Sequence, residues 1–456
     1  MSTGHPAAPD RRVTLALTAA GFAAFFLLSW AWPAARQIFP SNVPPLFVRW
    51  HPLVGPLLLV PVAMGAGLWL LLPKLMRLPR ARFLVILVMF TWLFAETLAM
   101  QSGRARTFNN CCVEDGFAAS LTTVLQRPED YFHDVSLVQR LGPREFGRRY
   151  PTIVRTDAQG LSIHSGTHPP GASVLEWAMW RLTGRSTLAV AILIALIGAL
   201  GVLPAQAIAG ELYEERTARV AAVLFACAPG VLLFSATSGD AIFMTLTGVA
   251  MAALVRAPRS DAWAIGAGAL SAVALAFTWG ALALFPVGLG VALLGLRDHA
   301  PKTIIRRVGL AVAGLAAGWL IIRSLTGIDL IADFAPAVHR QVTFLTYRRS
   351  YVYWSLGNVV AFLFVVGVVN TGSIVSSTVT RWRERRPGME TVLWATLALT
   401  SISSVFKGET DHNWLFFMPL AIAVSAGAVV EAELRVGVAA GLGQAVLTEA
   451  LFYTGW

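Results

Sequence analysis

Apolar runs of about 20 residues recur along this chain, and each is long enough to cross a bilayer as one helix. They begin at Val13–Trp32, Leu53–Leu72 and Phe83–Met100, and resume densely between Thr187 and Tyr453. The run from Ala262 to Leu296 is too long for one span and holds Trp279-Gly280 in its middle, so it reads as a hairpin. Only 13% of the 456 residues are charged and 56% are hydrophobic, whereas soluble domains carry about a quarter charged residues. The expected fold is all-α. It is a polytopic transmembrane helix bundle of about 13 spans (11 at the fewest), built as a single integral membrane domain over residues 1–456.

The charge pattern gives the expected sidedness. The net charge of +11 comes from arginines in short turns between apolar runs, the positive-inside signature. No solvated basic domain exists to bind nucleic acid. Arg11 and Arg12 precede the first run, which reads as an uncleaved signal anchor with a cytoplasmic N-terminus. Lys74, Arg77, Arg80 and Arg82 mark the next cytoplasmic turn. Residues 101–186, the one long polar stretch, then form a large extracytoplasmic loop with juxtamembrane helices. Cys111 and Cys112 are adjacent and Cys227 lies in an apolar run, so no disulfide framework is expected.

Ionisable groups are costly in a membrane protein unless they reach water or a cavity. Here they collect at the expected outer ends of spans. Glu114-Asp115-Gly116 offers two neighbouring carboxylates, able to hold a divalent cation such as Mg or Mn or to accept a proton from a hydroxyl, or simply to be solvated. His164-Ser-Gly-Thr-His168-Pro169-Pro170-Gly171 steers the chain into a short amphipathic helix, Ala172–Leu182. The prolines are explained by the turn, but His168 is not. Asp240 opens a later span, where an acid is also a sound helix cap. Lys407-Gly408-Glu409-Thr410-Asp411-His412-Asn413 packs more polar groups into a tight outer turn than solubility requires. Arg340, Arg348 and Arg349, with Tyr347 and Tyr351, suit a phosphate joined to a lipid tail, or snorkelling to headgroups.

In this order the motifs resemble those of the GT-C superfamily of polytopic glycosyltransferases, the dolichyl-phosphate-mannose mannosyltransferases among them. Glu114-Asp115-Gly116-Phe117-Ala118 is similar to the acidic motif of its first large outer loop. His168-Pro169-Pro170-Gly171 is similar to its Pro-Pro-Leu segment, and Asp240-Ala241-Ile242-Phe243 to its Asp-Ala-Leu-Phe motif. Two departures stand out: the acidic loop follows the third span instead of the first, and Gly171 replaces Leu. The resemblance implies a cell-membrane enzyme, a hexosyl- or pentosyltransferase. It would move sugar from a polyprenyl-phosphate donor to an extracytoplasmic glycan, lipid or protein acceptor, with inversion.

The implied roles are these. Asp115, Glu114 and Asp240 are catalytic. His168, Arg348, Arg349 and Lys407 bind the donor phosphate, and Glu409, His412 and His164 bind substrate. Glu114 and Asp115 are the candidate metal ligands. The rival reading is a transporter or flippase, which would place its polar groups near the bilayer midplane on broken helices.

Overall fold

The computed structural model describes residues 11–32, 43–101, 121–122, 125, 129–156, 160–346, 348–403, 405–429 and 431–454. Glu114 and Asp115 lie outside these described residues. The first three apolar runs form helices α1 (Arg11–Ala31), α2 (Leu59–Leu75) and α3 (Arg80–Gln101). The polar stretch folds into a 3-10 turn at Tyr131–Asp134 and four short helices: α4 (Val135–Leu141), α5 (Pro143–Thr156), α6 (Ile163–Thr167) and α7 (Gly171–Leu182). Then come α8 (Thr187–Ala199), α9 (Val202–Leu212), α10 (Glu215–Ala226), α11 (Pro229–Phe234), α12 (Asp240–Arg256) and α13 (Asp261–Leu275). After them run α14 (Leu284–Gly295), α15 (Pro301–Thr326), α16 (Leu330–Arg340), α17 (Tyr351–Val366) and α18 (Val368–Arg383). The last are α19 (Met389–Ile402), α20 (Thr410–Asn413), α21 (Met418–Ala426) and α22 (Glu431–Leu451).

Every expected span is helical, but length and apolarity alone qualify only six described helices to cross a membrane, or seven if one bent pair counts as a span. The others are short or broken. The segment α10–α11 divides at Cys227-Ala228, and α21 is buried along its whole length. These runs are apolar on all sides because protein surrounds them. Lipid-facing apolarity shows elsewhere: Leu27, Leu70, Ile305 and Leu325 are all 65% exposed or more. The six long apolar helices make this a multi-pass membrane protein.

The expected straight span Ser355–Ser373 is instead the bent pair, α17 and α18, meeting at 113° around Gly367. A bend frees backbone groups that lipid cannot satisfy. Side chains meet them here. Gln444 Nε2 donates to the Phe364 carbonyl at 2.7 Å, and Asn370 Nδ2 to the Val366 carbonyl at 2.8 Å. Thr371 Oγ1 donates to the Leu363 carbonyl at 2.7 Å.

Helices α13 and α15 cross with their backbones touching. A Cβ at Gly268 would run into the Ala311 carbonyl, and one at Gly314 into the Ile265 carbonyl, the small-residue packing of membrane helices. The basic turns gather at one end of the bundle. Arg219 donates to the Leu78 carbonyl at 2.8 Å, Arg256 and Arg259 pair with Glu211, and Arg306 pairs with Asp261. Helix α12 starts at Asp240 and ends at Arg256, a length of about 25 Å at 1.5 Å per residue. Its N-terminus therefore opens at the far end from those arginines.

Candidate active site

Three distant chain segments meet at that far end. The first is the turn from Ser162 to His168. The Ser162 hydroxyl caps α6 by accepting from Ser165 N at 3.1 Å, and Asp134 Oδ2 accepts from Ser162 N at 3.1 Å. The buried Tyr150 hydroxyl lies 2.9 Å from the Ser165 carbonyl and 2.5 Å from that of His168, bracing both. Arg340 donates to the Leu161 carbonyl at 3.1 Å and lays its guanidinium against Gly166. Pro169 and Pro170 then lead into α7. Gly171 N donates to the Ala276 carbonyl at 3.0 Å, so close that a Cβ would collide with that oxygen. This is why glycine stands where the resemblance expects leucine.

The second segment is the corner before α12. Asp240 Oδ2 accepts from the Ser238 hydroxyl at 2.8 Å and lies 2.8 Å from His412 Nδ1. The third is the turn into α20. One residue of α17 fixes it: Asn358 donates to the Phe406 carbonyl at 2.7 Å and accepts from Gly408 N at 2.9 Å. The Asn358 carbonyl accepts from the Thr410 hydroxyl at 2.9 Å. Phe47 N donates to Asp411 Oδ2 at 2.8 Å, tying the turn to the segment after α1. Glu409, with φ at 62°, pairs with Arg349.

Together with the stretch before α17 that carries Arg349, these segments enclose a small polar cleft faced by His164, His168, Asp240, Arg349 and Glu409. Its two sides differ in charge. Burial, and then the neighbouring His168, push His164 down to about 4. Burial also lowers His168, against the pull of Asp240. Both imidazoles are therefore neutral near pH 7. Across the cleft burial again disfavours charge, but partners outweigh it. The hydrogen bond and charge of Asp240 hold His412 above its usual range, helped by Asp411 and Glu409. His412 and His168 hold Asp240 below its own, and Arg349 does the same for Glu409.

The structure thus brings together six of the expected residues: His164, His168, Asp240, Arg349, Glu409 and His412. His412 is 1% exposed and stands behind Asp240. Lys407 sits at the rim, where its carbonyl accepts from Arg349 Nη1 at 2.5 Å and its Nζ lies 3.5 Å from the Thr346 carbonyl. Arg348 is exposed and does not line the cleft. Among the described residues no group of three or more His, Cys, Asp or Glu is placed to hold a metal ion. The expected metal ligands Glu114 and Asp115 lie outside them.

Sequence reasoning missed Asp130, Tyr131 and Gln341, which also line the cleft, and the braces Asn358 and Tyr150; Arg340, singled out for a phosphate, instead braces the turn at Leu161. A signal existed for Asn358, a polar residue inside an apolar run. Tyr131 looked like any aromatic in a polar stretch, yet its ring packs 5.6 Å from both histidine rings.

Residues 167–322 match the family model for dolichyl-phosphate-mannose-protein mannosyltransferase. The matched region holds His168 and Asp240 and ends before Arg349 and Glu409. Among solved structures, the Archaeoglobus fulgidus oligosaccharyltransferase, crystallised with Zn and sulfate, aligns at 16% identity and a TM-score of 0.36. That alignment covers 68% of this chain and 49% of that one, so the chain spans about half its length. No curated protein matches the sequence. The family match supports the resemblance to GT-C membrane glycosyltransferases.

Proposed function

We propose, from that family match as premise, that the protein transfers a sugar from a polyprenyl-phosphate donor to an acceptor hydroxyl at the extracytoplasmic face of the cell membrane. One observation carries the reading. Carboxylates, imidazoles and a guanidinium from four remote segments share one polar cleft at the end of a bundle of apolar helices. A donor with a charged head and a long apolar tail needs both environments at once.

The chemistry is an inverting displacement. The acceptor oxygen attacks the anomeric carbon from the face opposite the phosphate. The bond from that carbon to the phosphate oxygen breaks, its electron pair leaves with the phosphate, and the acceptor proton passes to a carboxylate. Asp115 or Glu114 is the proposed base. Asp240, ionised and anchored by Ser238 and His412, orients the acceptor. Arg349 offsets the charge that develops on the departing phosphate, with Lys407 beside it, the exposed Arg348 as an outer cation and His168 as a neutral hydrogen-bonding partner. His164 and Glu409 border the sugar. No step is routed through a metal. A divalent cation would go to Glu114 and Asp115, and removing it with a chelator tests that assignment.

One feature favours the transporter reading: the broken pair α17–α18, the kind of discontinuity carriers use. Its freed backbone groups, however, are taken up by Gln444, Asn370 and Thr371, while the ionisable groups lie at the cleft. Purified protein in proteoliposomes separates the two. The enzyme releases polyprenyl phosphate and forms a glycosylated acceptor, whereas the carrier moves intact substrate across the bilayer and forms no product.

A further inference from the structure

Arg349 reaches the cleft already engaged. Its Nη1 donates to the Lys407 carbonyl at 2.5 Å and its Nη2 to Glu409 Oε1, and both side chains are nearly buried, 10% and 11% exposed. Lys407 Nζ points back to the Thr346 carbonyl at 3.5 Å. The stretch of chain before α17 and the turn before α20 are thus latched to each other by two residues that both line the cleft.

The latch is held in unusual backbone on both sides. Gly408 has φ at 89° and Glu409, which has a side chain, has φ at 62°. A non-glycine residue pays nothing for extended backbone but is strained in the left-handed region, and such strain persists where surrounding structure enforces it. On the other side Gln341–Leu345 forms a π-helical turn, a rare form that concentrates at functional sites. Gln341 itself lines the cleft.

Carboxylate and phosphate present the same paired oxygens to a guanidinium. We propose that Glu409 is a built-in stand-in for a phosphate monoester or diester: the anion of the incoming lipid takes its place on Arg349 and opens the latch. This rests on the polyprenyl-phosphate reading above and adds a competitor to it. A resident carboxylate weakens ground-state binding of the anion and returns to Arg349 when the product phosphate must leave. Glu409 is therefore a positioning residue, acting through Arg349.

The experiment measures binding of a long-chain polyprenyl phosphate, and separately of inorganic phosphate, to the full-length protein in nanodiscs. Wild type, Glu409→Gln, Glu409→Gly and Arg349→Gln are compared, each first shown to be folded by its melting profile. Expected is about tenfold tighter polyprenyl phosphate binding in both Glu409 variants, the scale of one charge-assisted hydrogen bond. Phosphate release should slow in both, and binding should be lost in Arg349→Gln. Glu409→Gly, which also relieves the backbone strain, separates the charge effect from conformation, because both variants must tighten alike.

Unchanged or weaker binding in folded Glu409 variants overturns the exchange. If inorganic phosphate shows the tightening and the lipid binds no variant, the exchange stands and the polyprenyl donor reading falls. If the lipid binds wild type and the Glu409 variants equally, the donor reading stands and the exchange falls.

Discussion

The two walls of the cleft are built from similar residues to opposite effect. On the side of α6, two histidines are buried together and driven neutral, and their turn is fixed by hydrogen bonds to backbone from Tyr150 and Arg340. On the side of α20, a third histidine is equally buried but is held above its usual range, towards the charged form, because Asp240, Asp411 and Glu409 outweigh burial. Burial is common to both walls, and the partners decide the charge. A neutral wall can hold a sugar by hydrogen bonds without strong charges, and an ionic wall can manage a phosphate and a proton.

The largest expected effect belongs to the proposed base, which is outside the described residues. Asp115→Asn should cut transfer by about a hundred- to ten-thousand-fold, the usual span for a general base, with membrane insertion unchanged. Near-normal turnover in a radiolabelled sugar assay would remove the proposed base. Asp240→Asn should convert the ionic wall towards the neutral one. Turnover should drop by about a hundredfold, and the His412 titration, followed by NMR, should move down. An unmoved His412 would show that the pairing does not set its charge.

Asn358→Ala should loosen the ionic wall alone. Leaving Gly408 N and the Phe406 carbonyl without their partner costs roughly 1–3 kcal/mol, visible as a lower melting temperature with His164 unperturbed. The two walls should also answer pH differently. His164 is lowered in the fold, so the unfolded chain binds its proton first, and stability falls as pH drops from 6.5 towards about 4. Changing His164→Gln should remove that part of the acid limb. The ionic wall loses stability in both directions. His412, raised by folding, loses its contribution as pH rises through its folded value, while Asp240 and Glu409, both lowered, lose theirs as pH falls. The smallest effect belongs to Arg348→Ala. This exposed residue should raise the donor requirement only about two- to fivefold, as a surface charge does.

The sequence made one wall easier to read than the other. His164, His168 and the Pro-Pro turn lie within eight residues, so a local motif marked them, and α7 fell within one residue of its expected start. The ionic wall draws on residues 240, 349 and 409, and only the packing of α17 and α21 against the rest brings these together. The count of about 13 spans rests on apolar composition for a related reason, and length and apolarity alone qualify six or seven described helices. Apolar composition does not say whether lipid or protein surrounds a helix, and pieces such as α11 and α21 are short and buried. The bend at Gly367 was hidden because its compensating partners, above all Gln444, come from far along the chain.

Anomeric analysis of the product offers the sharpest single test. Wild-type protein in proteoliposomes, supplied with a polyprenyl-phosphate sugar and an acceptor, should yield a glycoside of inverted configuration, and Asp240→Asn should yield almost none. Retained configuration, or equal product from the variant, would contradict a cleft whose two walls divide sugar binding from ionic chemistry.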